Sequence, residues 1–197
     1  MTRGKVIQRI IELQPVIFER QLGTPNRCIL ATSVGIDVLA HFGIDARPLS
    51  VKVQILNAAW VKWIRAGSPG GATLVGQMAL KNAGGWAVVA GDEDGPEERP
   101  GHWNGHLVIE LPGLRAVMDL DLQQMARPQK GIVIPPAAVF HLADEHGGEY
   151  QTQDGGLVQI TAKRGDESFR VARDWADQAK RRPLVDQVIR AIRKGAA

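Results

Sequence analysis

Three residues of this chain have the chemistry of a nucleophilic site, provided the fold brings them together. Cys28 is the only cysteine among 197 residues, so it has no internal disulfide partner and no CxxC companion for a zinc or redox motif. It stands in NRCILATSVGI (26–36), where an apolar helical pattern begins. The first turn of a helix carries free N–H groups and the positive dipole end, which stabilise a thiolate. Taken alone, a free cysteine there also reads as a small buried hydrophobe. A nucleophile needs a base, and the base needs a group to orient it.

Residues 105–122, GHLVIELPGLRAVMDLDL, supply both candidates. HLVIE and RAVMDLDL are strand-like runs joined at Pro112 and Gly113, which supply turn chemistry. Symmetric closure about that dipeptide pairs residues whose numbers sum to 225, setting Glu110 opposite Arg115 and His106 opposite Asp119. Proline at the first turn position disfavours the two-residue primed turns, so a four-residue loop, Leu111 to Leu114, is expected in the same register. One face then holds His106, Val108, Glu110, Arg115, Val117 and Asp119, and the other is wholly apolar. Opposed side chains are close enough for the Asp119 carboxylate to accept a hydrogen bond from the imidazole and favour its charged form. A purely structural His–Asp pair fits the same pattern.

In their order along the chain, Cys28, His106 and Asp119 resemble the transglutaminase-like and arylamine N-acetyltransferase-like branch of the papain-like cysteine enzymes. The likeness runs over about residues 20–125; Asp119-Leu120-Asp121 stands where many members have Asp, any residue, then Thr, which favours Asp119 over Asp121 as third member. No segment matches an acetyl-CoA site or calcium sites. The resemblance implies an α+β fold, papain-like or transglutaminase-like, with the cysteine helix packed on an antiparallel sheet. It also implies thiol acyl transfer through a Cys28–His106–Asp119 triad without a cofactor. The substrate would be a protein, a peptide or a small amide or ester. With water as acceptor the enzyme is a peptidase, deamidase or amidase; with an amine it is a transferase. The Cys28 N–H is one expected oxyanion donor, Gln21 or Asn26 a second, and Trp103 either walls the cleft or packs.

These residues need elements to hold them. Apolar spacings of three and four predict a helix over 5–21, kinked or split at Pro15. Gly23 suits its end, and Thr24 as cap with Pro25 at the first position starts a second helix to Phe42. Residues 46–57 alternate as a half-buried strand. Residues 66–105 read as a glycine-rich excursion with one or two strands, containing the acidic DEDGPEE (92–98). Residues 126–136 form an exit loop, 149–163 a hairpin or one bent strand, and 166–194 a helix interrupted near Pro183.

With 44% apolar and 23% charged residues, the chain reads as one domain over 1–197, a catalytic core over 1–165 carrying a basic helical segment over 166–197. The amino terminus has no unbroken apolar run, so a cytoplasmic protein away from membranes is expected. The net charge of +3 is uneven: residues 163–197 hold ten Lys and Arg against five Asp and Glu, the rest fourteen against sixteen. That basic helix is a solvated face or a hold on an acidic partner or nucleic acid. The alternative function is therefore a non-enzymatic binding protein on a degenerate papain-like fold, although no nucleic-acid module is recognisable. A zinc site from His102, His106, Cys28 and Asp119 is disfavoured. Gly101 and Gly105 argue against a helix there, and residues four apart in a strand lie about 13 Å apart. His41, His141 and His146 lack matching partners.

Overall fold

The computed structural model describes residues 1–23, 27–91 and 103–195. Thr24, Pro25, Asn26, the acidic segment 92–98 and His102 lie outside them. Helix α1 (Arg3–Leu22) buries Val6, Ile7, Ile10, Gln14, Ile17 and Phe18, the stripe that its spacing predicts, and runs unbroken through Pro15. Helix α2 (Cys28–His41) opens at Cys28 itself with Arg27 as its cap residue, three residues later than expected. Strand β1 (Arg47–Leu56) follows.

The stretch after β1 holds more than strands. It forms α3 (Ala58–Arg65), α4 (Leu74–Asn82) and the short β2 (Ala87–Ala90). Asn57 and Thr73 cap the two helices, accepting from Trp60 N at 3.0 Å and Gly76 N at 3.2 Å. These Asn and Thr caps were the local signal for helices, obscured by the glycines between them. Strands β3 (His106–Leu111) and β4 (Ala116–Asp119) form the expected hairpin. Beyond it come β5 (Ala138–His141), just past the expected exit loop, then β6 (Gly147–Gln151) and β7 (Leu157–Ala162), a true hairpin. The C-terminal segment breaks at Asp177, between α5 (Arg173–Ala176) and α6 (Gln178–Lys194), and Pro183 sits inside the unbroken α6.

All strand pairings are antiparallel, in the order β5-β4-β3-β1-β7-β6, with β2 sharing the β1 edge beside β3. The two ends of the sheet approach each other where the Tyr150 hydroxyl donates to the His141 carbonyl and the Phe140 and Tyr150 rings lie 4.7 Å apart. The chain is thus an α+β fold with a nearly closed sheet. Inside the curl Leu49, Val51, Val53, Val108, Val117 and Ile160 form one core, while Ile109, Leu111 and Met118 on the opposite face pack with α1, α2 and α6 in a second. Helix α6 adds Leu184, Val188, Ile189 and Ile192 to that second core, so it is a built-in part of the helical layer. Gly35 sits where α2 crosses the sheet; a Cβ there would come within 2.4 Å of Ile109 Cδ1 and 2.7 Å of Leu120 Cδ1.

The hairpin register differs from expectation. Leu111 pairs with Ala116, Glu110 with Val117 and Ile109 with Met118, a sum of 227. The loop is Pro112–Arg115, a 3-10 turn closed by Arg115 in the left-handed region at φ 48°. Glu110 therefore does not face Arg115. It sits between Arg47 Nε at 2.6 Å and Arg164 Nη2 at 3.0 Å. Burial pushes its carboxyl up, but the two guanidinium groups outweigh this and hold it below the ordinary value of 4.5. A depressed carboxyl contributes stability above its unfolded pKa and loses it as pH falls through the folded one. Glu110→Gln is expected to lower unfolding free energy by about 1–3 kcal/mol at neutral pH. In urea titrations the gap from wild type should close as the solution is acidified below about pH 4.5.

Candidate active site

His106 opens β3 and Asp119 closes β4, so both lie at the end of the hairpin away from its turn. On the other side of His106 is β1, which pairs with β3 up to Val51↔His106 and with β2 from Val53↔Ala90 onward. The imidazole thus stands where one short strand ends and the next begins along a single edge. Gly91, at φ 77°, passes this junction so closely that a Cβ would be 2.1 Å from the Val51 carbonyl oxygen and 3.2 Å from His106 N.

In the observed register the residue opposite Asp119 is Val108 by extension, and His106 is its diagonal neighbour. A slip of two in the sum leaves every side chain on its expected face, since strand faces alternate with period two. The diagonal separation is within reach of a long side chain, and His106 Nε2 lies 2.7 Å from Asp119 Oδ2. Each residue is only 1% exposed. An ionised carboxylate can only accept, so Nε2 carries the proton. Asp119 Oδ1 accepts from Asp121 N at 2.9 Å. Asp121 Oδ2 in turn accepts from Arg27 N at 2.6 Å, the residue preceding Cys28. The two aspartates thereby divide the work: Asp119 holds the imidazole, and Asp121 ties the end of the hairpin to the start of the cysteine helix. Further along, Thr32 Oγ1 donates to the Leu107 carbonyl at 2.9 Å and Gln14 Nε2 to the Ala31 carbonyl at 2.7 Å, fixing α2 to β3 and to α1.

Cys28, half-buried, is the first residue of α2, so its N–H has no acceptor within the helix. Burial alone would push the His106 imidazole down. The charge and hydrogen bond of Asp119, joined by a hydrogen bond and charge from Cys28, outweigh that and raise it well above the ordinary 6.5. Cys28, His106 and Asp119 are therefore brought to one place. Because Asp119 occupies Nε2, the ring nitrogen left for chemistry is Nδ1.

Nδ1 has a neighbour that sequence reasoning missed: Gln124 Nε2, 3.0 Å away. Gln124 belongs to a 3-10 turn, Leu122–Met125, whose end residues are buried in the sheet core. The available signal was an amide flanked by two apolar anchors just past Asp119-Leu120-Asp121. Gln21, by contrast, is exposed in the last turn of α1, and the glutamine beside the imidazole is Gln124. Asn26 lies outside the described residues. Trp103 packs: its Nε1 donates to Ser168 Oγ at 2.7 Å, its ring meets Phe169 edge-on at 6.1 Å, and it covers Gly105. Among the described residues no three or more His, Cys, Asp or Glu side chains are grouped to hold a metal ion, and no helix is long and apolar enough to cross a membrane. Comparison with protein-family models, curated proteins and solved structures finds no match to the chain.

Proposed function

We propose that this chain is a cysteine-dependent hydrolase or acyl transferase acting on amides or esters, on a papain-like or transglutaminase-like arrangement, and working in the cytoplasm. The observation that carries the reading is a buried imidazole bonded through Nε2 to a buried carboxylate and raised in part by the charge and hydrogen bond of the single thiol, itself at a helix start. A merely structural His–Asp pair gives no reason for the thiol to stand there.

His106 Nδ1 takes the thiol proton, and the Cys28 sulfur forms a bond to the substrate carbonyl carbon. The resulting oxyanion faces the helix-start N–H of Cys28. Asp119 stabilises the imidazolium, which then returns its proton to the departing amine or alcohol as the carbonyl carbon–heteroatom bond breaks. A thioester remains, and water or an amine, deprotonated by His106, attacks it and releases Cys28. Gln124 is the resting partner of Nδ1 and must yield that position while the proton moves.

The rival reading, a basic helix gripping an acidic partner, has less support. On and beside α6, Lys180, Arg181 and Arg193 are engaged by Asp174, Asp37 and His41 of the same chain. Incubation with p-nitrophenyl acetate tests the enzyme reading. The expected result is nitrophenol release together with one acetyl group on the peptide holding Cys28, found by mass spectrometry and lost on adding hydroxylamine. Release no faster than from the urea-unfolded chain, with no adduct at Cys28, overturns it.

A further inference from the structure

Away from the thiol, α3, α4 and the start of β2 border an open cavity of about 790 Å³ lined by Trp60, Trp63, Trp86, Gln77, Leu80 and Lys81. Three of the five tryptophans of the chain meet there. Buried Asn57 builds it. The Asn57 side-chain oxygen accepts from Trp60 N at 3.0 Å and Trp86 N at 3.1 Å, while its nitrogen donates to the Gly84 and Lys130 carbonyls, each at 2.8 Å. One amide spends its full bonding capacity on fixing two indole-bearing segments relative to each other. Close backbone packing stiffens the rim, since a Cβ at Gly76 would meet the Gly71 carbonyl oxygen at 2.3 Å. The Trp63 indole nitrogen is buried with no hydrogen-bond partner among the described residues.

The charge of this region has one sign. Residues 57–91 contain Lys62, Arg65 and Lys81 and no Asp or Glu, and Lys130 Nζ lies 3.8 Å over the Trp86 ring. Flat indole walls favour stacking on a planar ring, the volume is that of a small-molecule site, and Lys81 in the lining, with Lys130 against Trp86, favours an anionic group. We propose that this cavity is a binding site for an aromatic carboxylate. It stands independently of the thiol chemistry, because none of its walls includes Cys28, His106 or Asp119.

The test is a titration of the full chain with 2-naphthoate, followed by tryptophan fluorescence and equilibrium dialysis. Neutral 2-naphthalenemethanol, aliphatic decanoate and phosphatidylglycerol vesicles serve as comparison probes. Saturable naphthoate binding is expected. Lys81→Gln, at an exposed position, should weaken naphthoate by about tenfold and leave the neutral alcohol unchanged. Trp86→Leu should weaken both by about tenfold, with thermal unfolding checking that each variant is folded. Cys28→Ser should bind as wild type does. Absence of saturable naphthoate binding overturns the proposal, and so does a Lys81→Gln variant that binds naphthoate as wild type does. It is equally overturned if decanoate binds as tightly as naphthoate, or if the chain binds the vesicles and naphthoate does not compete.

Discussion

His106→Ala is expected to slow iodoacetamide modification of Cys28 at neutral pH by about 10²-fold, the lower end of what a positioned acid–base group contributes. Because the chain has one cysteine, intact-mass spectrometry reads the rate without ambiguity. The expectation rests on mutual dependence: Cys28 is among the groups that raise the His106 imidazole, so loss of the ring removes a proton acceptor and a positive charge from beside the sulfur. His106→Gln keeps a polar group in the space but supplies no titrating nitrogen, so it should be nearly as slow. Both variants need a melting curve, since His106 is buried. A folded His106→Gln protein alkylated at the wild-type rate would show that the imidazole does not activate the thiol, and would leave Cys28 a half-buried small residue.

How far the sequence reached is best seen at the hairpin. Face parity was legible, because it depends only on period two. Register was not, because it depends on whether Arg115 belongs to strand or loop, and its left-handed backbone is a property of the closed turn. The slip happened to be even, so His106 and Asp119 stayed on one face and met diagonally. Had it been odd, they would lie on opposite faces of the sheet. The start of α2 was legible only as a region. What places Cys28 at the first helical position is Asp121 accepting from Arg27 N across 94 residues of chain, a contact that no local capping pattern announces. Tertiary packing also decided the two prolines: Pro15 and Pro183 stay within helices whose buried faces, Ile10 to Phe18 and Leu184 to Ile192, hold them in the helical layer against the local cost. Gln124 escaped notice because its role comes from a turn anchored in the core, and amides carry no spacing signature of their own.

Asp119→Ala should cost about 3–5 kcal/mol of stability, the penalty for stranding one member of a buried charged pair. Its effect should also depend on pH in a particular direction. In the native protein the His106 imidazole is raised well above its ordinary 6.5. A raised base contributes stability that is fully present below the unfolded pKa and is lost as pH climbs through the folded value. Without Asp119 the main charge and hydrogen bond holding the proton are gone, and burial, acting in the opposite direction, then opposes protonation. The deficit of the variant relative to wild type should therefore be greatest below about pH 6.5 and shrink as pH rises through the native His106 pKa. It should not vanish there, because a neutral ring still donates Nε2–H to the carboxylate and Asp121 N still needs its acceptor. Asp119→Asn separates the two contributions: its one carbonyl oxygen can satisfy the ring or Asp121 N, and its NH₂ group is left facing the other donor. Urea unfolding of wild type and both variants across this range reads the outcome directly. A deficit that is flat with pH would mean that the pair is held as neutral imidazole and carboxylate, and that Cys28 has no imidazolium beside it.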